Sequence, residues 1–160
     1  MHKWISNYLH NRVQYTTVNN TRSDIKLIEC GVPQGSVLGP LLFLIYINDI
    51  HKAIPGATPK LFADDTNVFV IGSNLSELQQ KANYYLDCLY DWCCCNKLTI
   101  NWEKTNFMVF SPKADACCDA IDITCKSVYK VKHVKSTKYL GISLITNLIL
   151  VGILNIYTKN

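Results

Sequence analysis

Apolar residues recur at helical spacing in the middle of the chain. The i, i+3, i+4, i+7 pattern is carried by Leu75, Leu78, Ala82, Tyr85, Leu86, Leu89, Trp92 and Cys93. Asn74 precedes the pattern, and Glu77 follows three residues later, as at a helix N-terminus. The pattern predicts a helix that begins after Asn74 and buries one face.

Two other segments are also typical of helices. Trp4, Ile5, Tyr8 and Leu9 share one helical face, so residues 3–11 are predicted to be the end of a longer helix that enters from upstream. Residues 38–50 are apolar on every side and contain Pro40, which a helix tolerates only in its first turn. We therefore expect a buried helix from about residue 37 to Asp49.

Strand-like runs flank turn-forming residues at two places. Residues 14–18 and 25–29 flank Asn19-Asn20-Thr21, and residues 60–63 and 66–71 flank Asp64-Asp65. Each arrangement predicts a β-hairpin. Later strands are expected at residues 106–110, 121–125, 128–134 and 139–144, which makes the fold class α+β.

The C-terminal stretch, residues 142–157, carries no charge and is rich in Leu and Ile. A membrane helix has to be considered, but Asn147, Asn155 and a length below the usual ~20 residues weigh against it. We favour either a strand and helix that face the core or a tail that has lost its original reading frame.

Composition fits one globular domain or part of one. The chain has 160 residues, 49% of them apolar, and a net charge of +4 that permits an acidic partner without requiring one. Basic residues cluster in one segment without Asp or Glu, which contains Lys126, Lys130, Lys132, Lys135 and Lys138.

The cysteines and the N-terminus indicate a reducing, intracellular location. None of the eight cysteines is spaced as in a zinc knuckle or redox motif, and the first residues do not resemble a signal peptide. Cys93-Cys94-Cys95 and Cys117-Cys118 are interpreted as buried or idle thiols. We expect a cytoplasmic or nuclear protein that is not secreted.

Asp64 and Asp65 are an unusual pair for a tight turn, because two-residue hairpin loops favour Asn-Gly or Asp-Gly. Two carboxylates beside apolar strands repel each other and are costly to desolvate, and a divalent cation relieves both effects. Hard oxygen ligands suit Mg²⁺ or Mn²⁺. The four residues Phe62-Ala63-Asp64-Asp65 alone are equally compatible with a metal site and with a solvated Asp-Asp turn.

A glycine-containing loop, Gly31-Val32-Pro33-Gln34-Gly35-Ser36, precedes the apolar helix. Its glycines allow backbone to approach a ligand closely, and the Gln34 amide offers a donor and an acceptor. It matches neither a Walker loop nor a dinucleotide fingerprint. The four-residue glycine step could instead pack helices, although Pro33 and Pro40 oppose that interpretation.

Together, Cys30–Phe43 and Leu61–Thr66, joined by Tyr46–Ile50, resemble two successive motifs of reverse transcriptases from non-LTR retrotransposons, the jockey-like and LINE-like group. The resemblance covers about residues 4–142. It implies a partial polymerase palm, an antiparallel sheet with a catalytic β-hairpin packed on helices. Residues 1–142 are expected to form this partial domain, lacking the fingers and first catalytic strand, and residues 143–160 an apolar tail of uncertain origin.

The resemblance also implies roles for individual residues. Asp64 and Asp65 would hold Mg²⁺ or Mn²⁺ in two-metal nucleotidyl transfer, and Lys104, after Leu98-Thr99-Ile100-Asn101, would protonate the pyrophosphate. Nucleotide-binding positions would be Pro33, Gln34, Gly35, Phe62 and Ala63. Primer and template would meet Lys138, Tyr139, Leu140 and Gly141, with Lys130, Lys132 and Lys135. These lysines could equally protect a solvated strand edge.

Two-metal transfer needs a third carboxylate from a neighbouring strand, which the family places upstream of the glycine loop. Before Asp64 the only aspartates are Asp24, in a polar turn, and Asp49, at a helix end, and neither fits. We therefore expect a fragment of an RNA-directed DNA polymerase that is inactive alone. Its partners would be RNA template, DNA primer and deoxynucleoside triphosphates. Alternatives are a catalytically dead remnant that binds primer–template, or a nonfunctional or membrane-associated relic.

Overall fold

The computed structural model describes residues 2–29, 31–32, 35–63, 65–110, 121–139, 142–145 and 151–159. Residues 138–139, 142–145 and 151–159 are described by their backbone alone. The chain divides into two compact units, Met1–Tyr46 and Ile47–Asn160.

The first unit contains the helix α1, His2–Leu9, and a long hairpin. In the hairpin, β1 (Val13–Gln14) pairs with β4 (Lys26–Leu27), and β2 (Thr17–Val18) pairs with β3 (Thr21–Arg22). Asn19 and Asn20 turn the chain with φ of 47° and 64°, the left-handed conformation that asparagine tolerates and tight hairpins need. The helix and the hairpin predicted for these residues are confirmed, while the continuation of the helix upstream stays a prediction.

The apolar helix forms as α2, Gly39–Ile47, with Pro40 in its first turn. Ser36 Oγ accepts a hydrogen bond of 2.9 Å from the Gly39 N–H and so caps the helix start. The prediction that this helix is buried was wrong: Leu41, Leu44 and Ile45 are all at least half exposed. A helix that is apolar on all sides has more surface than one neighbouring element can cover.

The second unit is built on a six-stranded sheet. Its strands lie in the order β11 (Lys132–His133), β8 (Asn106–Phe110), β14 (Val151–Lys159), β6 (Asp65–Val70) and β5 (Thr58–Phe62), and β7 (Thr99–Ile100) also pairs with β14. All pairs are antiparallel except β11 with β8, so the antiparallel sheet expected from the sequence contains one parallel pair.

The long helix α3, Leu75–Cys95, confirms the amphipathic pattern and contacts β6, β7, β9 (Thr124–Cys125) and β14. Its buried side chains are Leu78, Ala82, Tyr85, Leu86, Leu89 and Cys93. The Asn74 side chain accepts a 2.9 Å hydrogen bond from the Glu77 N–H, as expected of the N-cap. Val68, Met108 and Ile123 are among the fully buried side chains of this core.

Strand β8 has the bounds predicted for it, residues 106–110, whereas the strands predicted after it are shorter than their sequence patterns indicated. β9 pairs with β10 (Tyr129–Lys130). Val131 separates β10 from β11; its side chain is buried, and its N–H donates a hydrogen bond to the Ile123 carbonyl. Residues 139–144, predicted as one strand, fall in a hairpin of β12 (Ser136–Tyr139) and β13 (Ile142–Ile145). The tail contributes strands β13 and β14 and no described helix. Among the helices that the structure describes, none is long and apolar enough to cross a membrane.

Candidate active site

The predicted acidic hairpin forms, but Ala63 lies in its turn and Asp65 begins the strand β6, whereas the sequence pattern placed Ala63 in a strand and Asp65 in the turn. Phe62 and Asp65 are the last cross-strand partners of β5 and β6, and Ala63 lies in the turn that follows Phe62. Asp64 lies outside the described residues. Ala63 has φ of 51°, a conformation that costs an alanine on the order of 1 kcal/mol and that glycine would adopt freely. A strained backbone therefore adjoins the acidic pair.

Asp65 begins β6 and is half-buried. β5 pairs along one side of β6, and β14 pairs along the other. Nearby, Phe62 is 60% exposed, whereas Val68 is completely buried. Asp65 therefore lies at the boundary between the packed core and an exposed aromatic surface.

Lys104 lies in a turn between β7 and β8. The Asn101 carbonyl accepts hydrogen bonds from the N–H groups of Lys104 and Thr105, at 3.2 and 2.9 Å, and from Thr105 Oγ1 at 2.8 Å. Thr105 is buried, whereas the Lys104 side chain is exposed. The hydrogen bonds and the buried Thr105 thus hold the turn in place, while the Lys104 amine is exposed to solvent.

The sheet register brings this turn to the same end as Asp65. On β14, Thr158 pairs with Ile100, before the turn, and Asn155 pairs with Asn106, after it. Tyr157, between these positions, pairs on its other side with Asp65. Adjacent strands lie about 4.8 Å apart, so the backbones of Asp65 and Ile100 are separated by roughly 10 Å.

Only part of the glycine loop is described. Gly31 and Gly35 have φ of 89° and 76°, which require glycine, and a Cβ built on either would meet no heavy atom within 4 Å. The open space fits a loop that approaches a ligand closely. Pro33 and Gln34, predicted to bind nucleotide, lie outside the described residues.

Two residues of the basic segment have acidic partners from elsewhere in the chain. Lys126 Nζ lies 2.7 Å from Asp91 Oδ2, and Lys130 Nζ lies 2.6 Å from Asp122 Oδ1. The Asp91 hydrogen bond raises the pKa of Lys126. Both pairs are solvent-exposed and therefore weak enough for a phosphate to compete.

The other primer-strand candidates differ in how far the structure describes them. Lys132 and Lys135 are exposed, Lys132 on the β11 edge of the sheet. Lys138 and Tyr139 belong to β12 and are described by backbone alone, and Leu140 and Gly141 lie outside the described residues.

Trp102, for which the sequence motifs imply no role, lies in the same turn as Lys104. Its indole stacks on the Tyr129 ring with centroids 4.5 Å apart, and the Tyr90 ring lies about equally far from both. This aromatic cluster attaches the Lys104 turn to α3 and to the β9–β10 hairpin. An aromatic residue inside a polar turn was the sequence signal that could have revealed it.

The described cysteines are free thiols: Cys88, Cys93, Cys94, Cys95 and Cys125. Burial is the main cause that raises the pKa of Cys93 and of Cys125 to about 12. Cys117 and Cys118 lie outside the described residues. Among the residues that the structure describes, no group of three His, Cys, Asp or Glu side chains is placed to hold a metal ion.

Comparison with known proteins decides the family. Residues 1–144 match the family model described as reverse transcriptase (RNA-dependent DNA polymerase). The chain belongs to the reverse transcriptase family. The resemblance inferred from the two sequence motifs is thereby confirmed, and reverse transcriptases as a family use divalent metal ions and transfer nucleotidyl groups.

Reverse transcriptases of insect retrotransposons are similar to most of this chain. RNA-directed DNA polymerases from mobile element jockey are 29% identical in Drosophila melanogaster and 31% identical in Drosophila funebris, each over 88% of the chain. A Pol polyprotein from a type-1 retrotransposable element R1 of Nasonia vitripennis is 30% identical over 71% of it. The chain spans only 16% of the length of the jockey relatives. No solved structure matches it.

Proposed function

We propose that this chain is the catalytic-hairpin part of an RNA-directed DNA polymerase and is inactive in isolation. The observation that carries the proposal is the position of Asp65 at the tip of the β5–β6 hairpin, at the same end of the sheet as the Lys104 turn. The substrates of the whole polymerase are deoxynucleoside triphosphates and a DNA primer that is paired to an RNA template.

Asp64 and Asp65 are the proposed ligands of Mg²⁺ or Mn²⁺. The two carboxylates are adjacent in the sequence, Asp65 is half-buried, and carboxylates supply the hard oxygen donors that these ions prefer. When bound, the ions supply activation of the primer 3′-hydroxyl and neutralisation of the pyrophosphate. In the isolated chain these donors fit one cation better than two, because β5 and β14, the strands beside β6, contain no Asp or Glu. The proposed two-metal transfer therefore needs a further carboxylate from the upstream part of the polymerase.

The remaining residues bind and orient the substrates in this proposal. Lys104, exposed on an anchored turn, donates a proton to the leaving pyrophosphate. Pro33, Gln34 and Gly35 contact the incoming nucleotide, with Phe62 and Ala63 at the primer terminus.

The primer and template strands are proposed to contact the basic segment and the turn that follows it. The contacting residues are Lys130, Lys132, Lys135, Lys138, Tyr139, Leu140 and Gly141. The exposure of Lys130, Lys132 and Lys135 supports contacts with phosphates.

Primer extension tests the proposal directly. The purified chain, supplied with oligo(dT) on poly(rA), deoxythymidine triphosphate and Mg²⁺ or Mn²⁺, is expected to add no nucleotides. The same segment within a full-length jockey-type polymerase is expected to extend the primer, and Asp64→Asn or Asp65→Asn there should reduce extension by at least about 1,000-fold. Extension by the isolated chain that Asp64→Asn abolishes would contradict inactivity. Full activity of the full-length Asp65→Asn variant would contradict the metal-ligand role.

A primer–template-binding remnant is the second candidate, and the exposed lysines of the basic segment favour it. RNA binding that weakens steeply between low and moderate salt, and that Asp65→Ala leaves unchanged, would support binding without chemistry. Lys132→Ala combined with Lys135→Ala should then reduce the salt slope by about two. The intracellular location stays a prediction.

A further inference from the structure

The central strand of the sheet comes from the C-terminal tail. β14 pairs with β6 from Gly152↔Val70 to Tyr157↔Asp65, and with β8 from Val151↔Phe110 to Asn155↔Asn106. In the described residues, no strand pair joins the β5–β6 hairpin directly to β8. The two halves of the sheet are therefore connected through the tail.

The flanks of this strand are built as interior surfaces. Val68 and Val70 on β6, and Phe107, Met108 and Val109 on β8, are each at most 3% exposed. Without an occupant between them, both strands would present unpaired N–H and carbonyl groups beside apolar side chains, an arrangement that promotes aggregation. The space between β6 and β8 is thus a slot that a strand has to fill.

The tail has the composition that such a slot requires. Val151–Lys159 contains five residues that favour strands, namely Val151, Ile153, Ile156, Tyr157 and Thr158, and its one charge is at its last position. Strands buried on both faces are nearly continuous apolar runs. Pairing with two long neighbours satisfies its backbone on both sides.

The occupant also determines what stands opposite Asp65. Directly paired residues of antiparallel strands share one face of the sheet, and the partner of Asp65 on β14 is Tyr157. Because residues 151–160 contain no Asp or Glu, no carboxylate of this strand faces Asp65. A strand that brought one there would need to displace the tail, because β5 holds the other side of β6.

We propose that the slot between β6 and β8 is a strand-binding site, that its occupant is this chain's own Val151–Lys159, and that this occupant excludes a carboxylate-bearing strand from the position beside Asp65. The exclusion of a carboxylate-bearing strand rests on the proposed metal-ligand role of Asp65. The strand-binding site and its occupant do not depend on that role.

Strand binding is tested in the full chain with two substitutions at Leu154, whose neighbours are Val68 on β6 and Phe107 on β8. Leu154→Pro removes an N–H from a central strand and should lower the melting temperature by on the order of 10 °C or abolish the transition. Leu154→Val keeps the strand and should shift it by less than about 4 °C. A synthetic peptide of Val151–Lys159 with added terminal lysines should restore the transition of the proline variant. Equal melting of the two variants, or no effect of the peptide, would overturn the strand-binding site.

The position beside Asp65 is tested with Tyr157→Asp and the neighbouring Thr158→Asp, which faces the other side of the sheet by strand alternation. Tyr157→Asp should acquire a rise in melting temperature with Mn²⁺ relative to EDTA, and Thr158→Asp should not. A Mn²⁺ response in both variants, or in neither, would overturn the placement beside Asp65. The Leu154 result judges the strand-binding site separately, and primer extension by the full-length enzyme judges the metal-ligand role.

Discussion

The Trp102 indole and the Tyr129 ring are stacked, with planes 7° apart and centroids 4.5 Å apart. Trp102 belongs to the turn that carries Lys104, and Tyr129 belongs to β10, which follows it along the chain. Neither ring is fully buried, and their stacking adds to the hydrogen bonds between Asn101 and Thr105 that anchor the turn. Stacked aromatic pairs contribute about 0.5–1.5 kcal/mol beyond the area that they bury.

Trp102→Ala should therefore lower the free energy of unfolding by about 1–3 kcal/mol, less than truncation of a fully buried tryptophan. Trp102→Phe, which can still stack, should lose about half as much. Urea denaturation of both variants, of Tyr129→Ala and of the Trp102/Tyr129 double variant gives the coupling energy of the pair. Additive losses would show that the two rings do not support each other.

Glu77 provides a pH-dependent contribution at the start of α3. Its carboxylate accepts a 2.8 Å hydrogen bond from the Ser73 N–H and pairs with Lys81 Nζ at 2.6 Å. The hydrogen bonds from Lys81 and then Ser73 lower the pKa of Glu77 from 4.5 to about 2. A lowered folded-state pKa means that the stabilisation is present above pH 4.5 and is lost as the pH falls toward about 2.

Glu77→Gln removes the titrating group and keeps its shape. The wild-type chain should melt at a higher temperature than the variant at neutral pH, and the difference should shrink as the pH falls through this window. Thermal unfolding of both chains at matched ionic strength measures it. A difference that stays constant down to pH 2 would mean that Glu77 titrates normally in the folded chain.

Local patterns predicted local structure well. The α3 helix could be predicted because its period, its Asn74 cap and Glu77 all lie within one segment, and the hairpin at Asn19-Asn20 because two asparagines tolerate positive φ. The acidic hairpin was found for the same reason. Its likeness to a family motif, rather than its turn chemistry, indicated the function.

Pairing between distant segments could not be predicted in this way. An uncharged apolar tail is compatible with a strand, a buried helix or a membrane helix, and its partners β6 and β8 lie far earlier in the chain. The packing of Trp102 on Tyr129 could not be predicted for the same reason, because the two residues lie far apart in the sequence. Exposure of α2 was missed because apolar composition shows what a helix can bury, not what covers it.

Cysteine reactivity should separate the buried thiols from the exposed ones. Burial, followed for Cys125 by its hydrogen bond with Asp87, raises the pKa of Cys93 and Cys125 to about 12, whereas Cys94 and Cys95 are exposed. The thiolate is the reactive form, so Cys93 and Cys125 should react with iodoacetamide at least about tenfold more slowly at pH 8. Fragment-ion mass spectrometry of the labelled chain assigns the sites. Labelling of Cys125 as fast in native buffer as in concentrated urea would contradict its burial.

Gly72 lies where β6 turns into α3, and it has no room for a side chain. A Cβ built there would be 2.9 Å from the Leu78 backbone nitrogen and 3.1 Å from the Leu78 Cα, atoms held by the first turns of α3. Backbone cannot give way as a flexible side chain does. Gly72→Ala should therefore destabilise the chain by about 1–3 kcal/mol, the usual cost of overpacking.

Ser76→Ala is the matched control, because Ser76 is exposed within the same helix start and alanine favours helix. Its free energy of unfolding should be unchanged or higher by a few tenths of a kcal/mol. Chemical denaturation at neutral pH compares the three chains. Equal stability of Gly72→Ala and Ser76→Ala would contradict the prediction. The packing of α3 against the end of β6 would then be looser than the Leu78 distances indicate, and the helix would not hold in place the strand that begins with Asp65.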